Sequence, residues 1–121
     1  MLIQSYRDLE AWQLGMEFVL HVYRVTKTFP IEERYGLASQ LQRAAVAIPS
    51  NVSEGHQLRP KSFKHFLTLA LGSLAEANTQ LEIAQRLRYV DQVEQESLAR
   101  RASQLRQVLH GLRRSIRIPD S

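Results

Sequence analysis

Apolar residues recur along this chain at helical spacing, and no segment alternates in the way a strand does. Leu9, Trp12, Met16, Val19 and Tyr23 step by 3, 4, 3 and 4 and so share one helix face. Ala11, Leu14, Phe18, Val22 and Val25 form a second apolar face about half a turn away. Glu10, Gln13, Glu17, His21 and Arg24 make a narrow polar strip between them. A helix apolar on two sides is buried on two sides. In a domain this small, one side is expected to meet another chain, and Gly15 would let a neighbouring helix approach closely.

The remaining helices follow from the same count. Leu37, Leu41, Ala44, Ile48 and Val52 give the buried stripe of a second helix, with Ala38, Ala45, Ala47, Ser50 and Ser53 keeping its other surfaces thin. Phe63, Leu67, Ala70, Leu74, Ala77, Leu81 and Ala84 form a heptad-like seam in a third. Leu98, Ala102, Leu105, Leu109, Leu112 and Ile116 repeat that seam in a fourth. Ser5 with Asp8 and Asp91 with Glu94 are capping boxes, Pro30 and Pro60 suit first helical turns, and Pro119 closes the last helix. The expected helices span residues 6–27, 31–55, 61–88 and 92–117 of one domain covering 1–121. Short connections make this an all-α, antiparallel up-down-up-down four-helix bundle.

One residue offends the pattern. Pro49 lacks an N–H for the Ala45 carbonyl and its ring crowds that same group. Ile48 and Val52 nevertheless keep the seam going, so helix two is expected to continue past Pro49 with a kink. Arg43, Asn51 and Glu54 lie on the same stretch, and Ser73 and Glu76 on helix three face it. This is expected to be a structural polar cluster, in which Asn51 or Ser50 satisfies freed carbonyls and Arg43 pairs with a carboxylate.

Length and composition narrow the function. A domain of 121 residues buries enough surface to fold without a disulfide or metal. The chain has no cysteine, which removes thiol catalysis and thiolate metal sites. The start lacks the pattern of a signal peptide and no apolar run has membrane length, so a cytoplasmic protein is expected. No carboxylate and histidine pairing on facing helices suggests a metal, and no cofactor is implied. Glu17 and His21 form a lone pair on the polar strip.

The net charge of +4 is unevenly placed. No acid occurs between Leu98 and Ile118, and Arg106, His110, Arg113, Arg114 and Arg117 fall within a sector of about 100° at helical spacing. Guanidinium rows suit phosphates, because each offers paired donors and stays charged. A second basic group, His56, Arg59, Lys61, Lys64 and His65, lies in the acid-free interval between Glu54 and Glu76. No RNA- or DNA-reading motif accompanies either group. Arg59 and His65 have a spacing similar to the Arg…His motif of the HEPN helical ribonucleases, with Pro60 where a polar residue is usual.

Longer strings carry a family resemblance: Tyr6-Arg7-Asp8-Leu9-Glu10-Ala11-Trp12, Phe29-Pro30, Tyr35-Gly36-Leu37 with Gln40-Leu41 and Arg43-Ala44-Ala45, Ile48-Pro49-Ser50-Asn51-Val52-Ser53-Glu54-Gly55, and Ala70 with Gly72-Ser73-Leu74 and Glu76. The chain resembles the four-helix-bundle proteins encoded in intervening sequences of bacterial large-subunit ribosomal RNA genes. The accessory protein of diversity-generating retroelements looks like a relative. Leu71 departs from a basic residue common in the family, and Ser53 from an alanine. The resemblance implies a homopentameric ring and brings no catalytic residues. It also implies, from the retroelement relative, nucleic-acid binding and a reverse transcriptase as partner. Residues and resemblance together lead to the expectation of a non-enzymatic oligomer that binds RNA or DNA without base specificity through Arg106, Arg113, Arg114, Arg117, Arg59, Lys61 and Lys64. The alternatives are a protein-interaction scaffold for a nucleic-acid enzyme and, third, a ribonuclease.

Overall fold

A computed structural model of the chain describes residues 5–119. Among these, four α-helices form: α1 (Glu10–Thr26), α2 (Leu37–His56), α3 (Pro60–Arg86) and α4 (Gln92–Ser115). Each packs on its sequence neighbours, and α1 also packs on α4, so the helices close into an antiparallel up-down-up-down bundle. The seams meet at its axis. Phe18, Val22, Leu41, Ile48, Val52, Leu67, Leu74, Leu81, Leu98, Leu105 and Leu109 are fully buried, each contributing about 1.5–3 kcal/mol of hydrophobic stabilisation. Of the two apolar faces of α1, the one with Ala11, Phe18, Val22 and Val25 enters this core. The other leaves Met16 and Tyr23 exposed and Trp12 and Val19 half-buried.

Helix ends differ from the sequence expectation in ways that trace to particular bonds. The Ser5–Asp8 capping box forms, but it closes a 3-10 turn at Tyr6–Asp8, and α1 begins only at Glu10. Helix two does not start after Pro30. Ile31–Glu33 is a separate 3-10 turn, and α2 begins at Leu37. The reason is Glu33, whose Oε1 accepts from the Leu37 amide at 3.1 Å and so satisfies one of its orphan donors. Helix three opens on Pro60 and ends at Arg86. There the Tyr89 amide donates to the Ala84 carbonyl and the Arg88 amide to that of Gln85. This is a Schellman termination with Arg88 in the left-handed position, at φ 64°. Asp91 caps α4 by accepting from the Glu94 amide at 2.8 Å. At its far end α4 stops at Ser115, because Ile116 is already extended, as suits a chain approaching Pro119.

Helix α2 runs through Pro49 without interruption. The proline is buried against α1, where a Cβ on Gly15 would lie 3.4 Å from its Cβ and Cδ. Six residues on, Gly55 is buried under α3, and a Cβ there would stand 2.7 Å from Phe66 Cβ and 2.9 Å from Phe63 Cδ1. Helix two therefore does not end at Gly55; the missing side chain lets α3 approach closely, and the helix continues to His56. Pro49, where a kink was expected, and Gly55, where the helix was expected to end, are both points at which α2 packs against a neighbouring helix.

Candidate nucleic-acid interface

An antiparallel bundle places every second connection at the same end. The start of α1, the α2–α3 connection at residues 57–59 and the C-terminus of α4 therefore share one end. Both basic groups of the sequence are carried there. The opposite end holds the α1–α2 and α3–α4 connections, where Glu32, Glu33, Asp91 and Glu94 are mixed with Lys27, Arg34 and Arg88.

On α4, Arg106 and Arg114 are exposed, and Arg113 and His110 are half-buried. His110 registers the arginines around it: burial first, then the charges of Arg106, Arg113 and Arg114, hold its pKa below the ordinary value. Arg106, Arg113 and Arg114 stand four residues before, three after and four after His110 on α4, the spacings that put side chains on one helix face. Arg117 is exposed but follows the end of α4 and the extended Ile116, so helical spacing no longer sets its direction and it stands at this end of the bundle outside the helical row. None of these arginines forms an ion pair among the described residues, where the pair found is Arg86 with Glu82 at 3.0 Å.

At the α2–α3 connection, Arg59 is the residue before α3 and is exposed, as is Lys61, while Lys64 is half-buried. His56 packs edge-on against Phe63 at 5.8 Å, and His65 against Phe66 at 6.0 Å. Arg7 adds a cation that the sequence reading passed over. It lies over the Tyr6 ring, 4.8 Å from its centroid. Its distance in sequence from the other cations hid it, although the up-and-down order of the helices puts residue 7 at this end.

The polar cluster expected around Pro49 does not assemble within the chain. Arg43, Glu54 and Glu76 are exposed, Asn51 and Ser73 are half-buried, and no hydrogen bond or ion pair links them among the described residues. Arg43 and Glu54 share an azimuth, but eleven residues at 1.5 Å rise set them about 16 Å apart along the helix. Ser50 Oγ donates to the Val46 carbonyl at 2.8 Å and Asn51 Nδ2 to that of Ala47 at 2.7 Å. Neither reaches the freed Ala45 carbonyl, since back-bonding in a helix connects a side chain to the carbonyl three or four residues earlier and Ala45 lies five and six residues before them.

His21 lies at the other end of the bundle, in a cavity of about 550 Å³ shared with Arg24, Arg88, Asp91 and Glu94. Its partner is Arg24, whose Nη2 is 3.1 Å from Nδ1, rather than Glu17. Burial, then Arg101 and Arg24, hold its pKa below the ordinary value. Among the described residues no group of three or more His, Asp or Glu side chains could hold a metal ion, and no helix is long and apolar enough to cross a membrane.

Residues 7–111 match the family model described as 23S rRNA-intervening sequence protein. Among solved structures, the chain is similar to a protein of unknown function from the S23 ribosomal protein family of Bacteroides thetaiotaomicron. The TM-score is 0.80 at 20% identity, covering 87% of this chain and 96% of that one. No curated protein matches it.

Proposed function

We propose that this chain, which belongs to the 23S rRNA-intervening sequence protein family, is a non-enzymatic oligomer that binds nucleic-acid backbone through one end of its bundle. The observation that carries this reading is the convergence of Arg59, Lys61 and Lys64 with Arg106, Arg113, Arg114 and Arg117 at the same end of the bundle. Phosphate contacts of this kind release counterions and give salt-dependent, sequence-independent affinity. A labelled RNA or DNA titrated at low salt should bind, and binding should weaken steeply as salt rises. Charge reversal at Arg106, Arg113 and Arg117 should flatten the logarithmic salt dependence by about 3 while helical circular dichroism is unchanged. Absence of binding at low salt, or normal binding by the triple variant, rejects the reading.

Self-association, as the pentamer implied by the resemblance, is supported by Met16, Leu20 and Tyr23 on α1 and Val46 on α2, which are exposed. Light scattering on the wild type and a Val46→Glu variant tests it; a wild-type monomer rejects it. A second reading, a scaffold for a nucleic-acid enzyme such as a reverse transcriptase, draws on Ile31 and Tyr35. These are 70% and 88% exposed at the end away from the basic groups. Co-purification that survives nuclease treatment and is lost with Ile31→Ser and Tyr35→Ser would favour it.

A further inference from the structure

Beside the basic α2–α3 connection lies a cleft of about 320 Å³, formed by Tyr6, Ser53, Glu54, Gln57, Leu58 and Phe66. We propose that this cleft holds an unpaired nucleobase, with its flanking phosphates on Arg59, Lys61 and Lys64. The inference rests on the backbone-binding reading above and adds to it a preference for single strands.

The lining suits a base. Two aromatic side chains, Tyr6 and Phe66, offer stacking surfaces, and stacking is tolerant of base identity because every base has a π-face. Leu58 adds apolar surface. Gln57 and Glu54 supply an amide and a carboxylate for the polar edge of a base, and the Ser53 hydroxyl, which donates to the Ser50 carbonyl at 3.0 Å, keeps an acceptor oxygen. The side chains of Gln57 and Glu54 are exposed and make no hydrogen bond within the described residues. The volume falls in the range of small-ligand sites, too small for a paired duplex step to enter. The Glu54 carboxylate repels phosphate, so it is the base that enters and the backbone that remains on the cations beyond Leu58.

The walls are held in place before any ligand arrives. Tyr6 is packed edge-on by Trp12 at 5.4 Å, and its turn is fixed by the Ser5–Asp8 capping box. Phe66 is seated against the bare Cα of Gly55. Arg7 lies over one face of the Tyr6 ring and adds a further cation next to this wall, so a base would stack on the opposite face of Tyr6. Aromatic surface interleaved with cations distinguishes a single-strand site from a purely electrostatic one.

The test compares a short unstructured RNA oligonucleotide carrying an internal 2-aminopurine with a blunt RNA duplex of the same length, at matched salt. The wild type should favour the single strand roughly tenfold, with 2-aminopurine emission quenched by stacking. Phe66→Leu should lose the preference and the quenching while duplex affinity and its salt dependence persist. Because Phe66 also packs on Gly55, Tyr6→Leu serves as a second variant, with the same outcome expected. Equal affinity for the two probes overturns the inference. So does an unchanged preference in both variants, or a change in their oligomeric state with the preference intact. If neither probe binds at low salt, the backbone-binding reading falls and this inference with it.

Discussion

Gly15 presents its bare Cα to the ring of Pro49. A Cβ on the glycine would lie 3.4 Å from two ring carbons, at the edge of ordinary contact. The proline that cannot serve the α2 hydrogen-bond ladder thus serves as the packing surface for α1. Gly55 makes the corresponding approach to α3, but more tightly: a Cβ there would lie only 2.7 Å from Phe66 Cβ.

The two glycines are expected to respond differently to alanine. Gly15→Ala should be tolerated and could gain up to about 1 kcal/mol from helix propensity. Gly55→Ala should lose about 1–3 kcal/mol through overpacking against Phe66 and Phe63. Urea denaturation of both variants checks this; equal effects would show that α3 yields as easily as α1.

Arg88 occupies a backbone conformation, φ 64°, that suits glycine. Arg88→Gly should stabilise the chain by about 1 kcal/mol by removing the left-handed penalty. Thermal unfolding would show a rise in Tm. A fall would mean that the arginine side chain contributes more than its backbone costs.

Tyr89 donates from its hydroxyl to Glu33 Oε2 at 3.0 Å, across 56 residues of sequence. That hydrogen bond first, then burial and the charges of Glu33 and Glu32, hold the phenol's pKa above its ordinary value of 10.0. The folded state therefore favours the neutral phenol. The stabilisation is complete below about pH 10 and is lost as pH climbs through the raised value. Melting temperature should fall over this alkaline range in the wild type and less so in Tyr89→Phe, which already lacks the bond. Parallel curves would discount the interaction.

His110 behaves in the opposite sense. Its lowered pKa means that the folded, free protein favours the neutral ring. This stabilisation is complete above the ordinary pKa of 6.5 and is lost as pH falls through the lowered value. A phosphate among Arg106, Arg113 and Arg114 would offset their repulsion and allow the ring to take up a proton. Nucleic-acid affinity should therefore rise severalfold as pH falls from about 7 to about 5.5, and His110→Gln should flatten that rise. An identical pH profile in the variant would remove His110 from the interface.

Periodicity by itself determined the four helices, their seams and the antiparallel bundle, because the angle of a residue about a helix axis follows from counting. The caps at Ser5 and Asp91 and the proline that opens α3 were legible for the same local reason. Azimuth by itself says nothing of rise, so Arg43 and Glu54, eleven residues apart on one face, were grouped although about 16 Å separates them along the helix. Nor does it say which apolar face of α1 turns inward, which only packing against α2 and α4 decides. The start of α2 depends on Glu33, whose two carboxylate oxygens are engaged by Leu37 and by a tyrosine beyond α3. Likewise the basic residues could be read as two groups in sequence, but their meeting at one end, and the cleft of Tyr6 and Phe66 beside them, exist only once four helices are folded against each other. Helical pattern is fixed by neighbours in the chain; a shared surface is fixed by groups that the chain brings together from far apart.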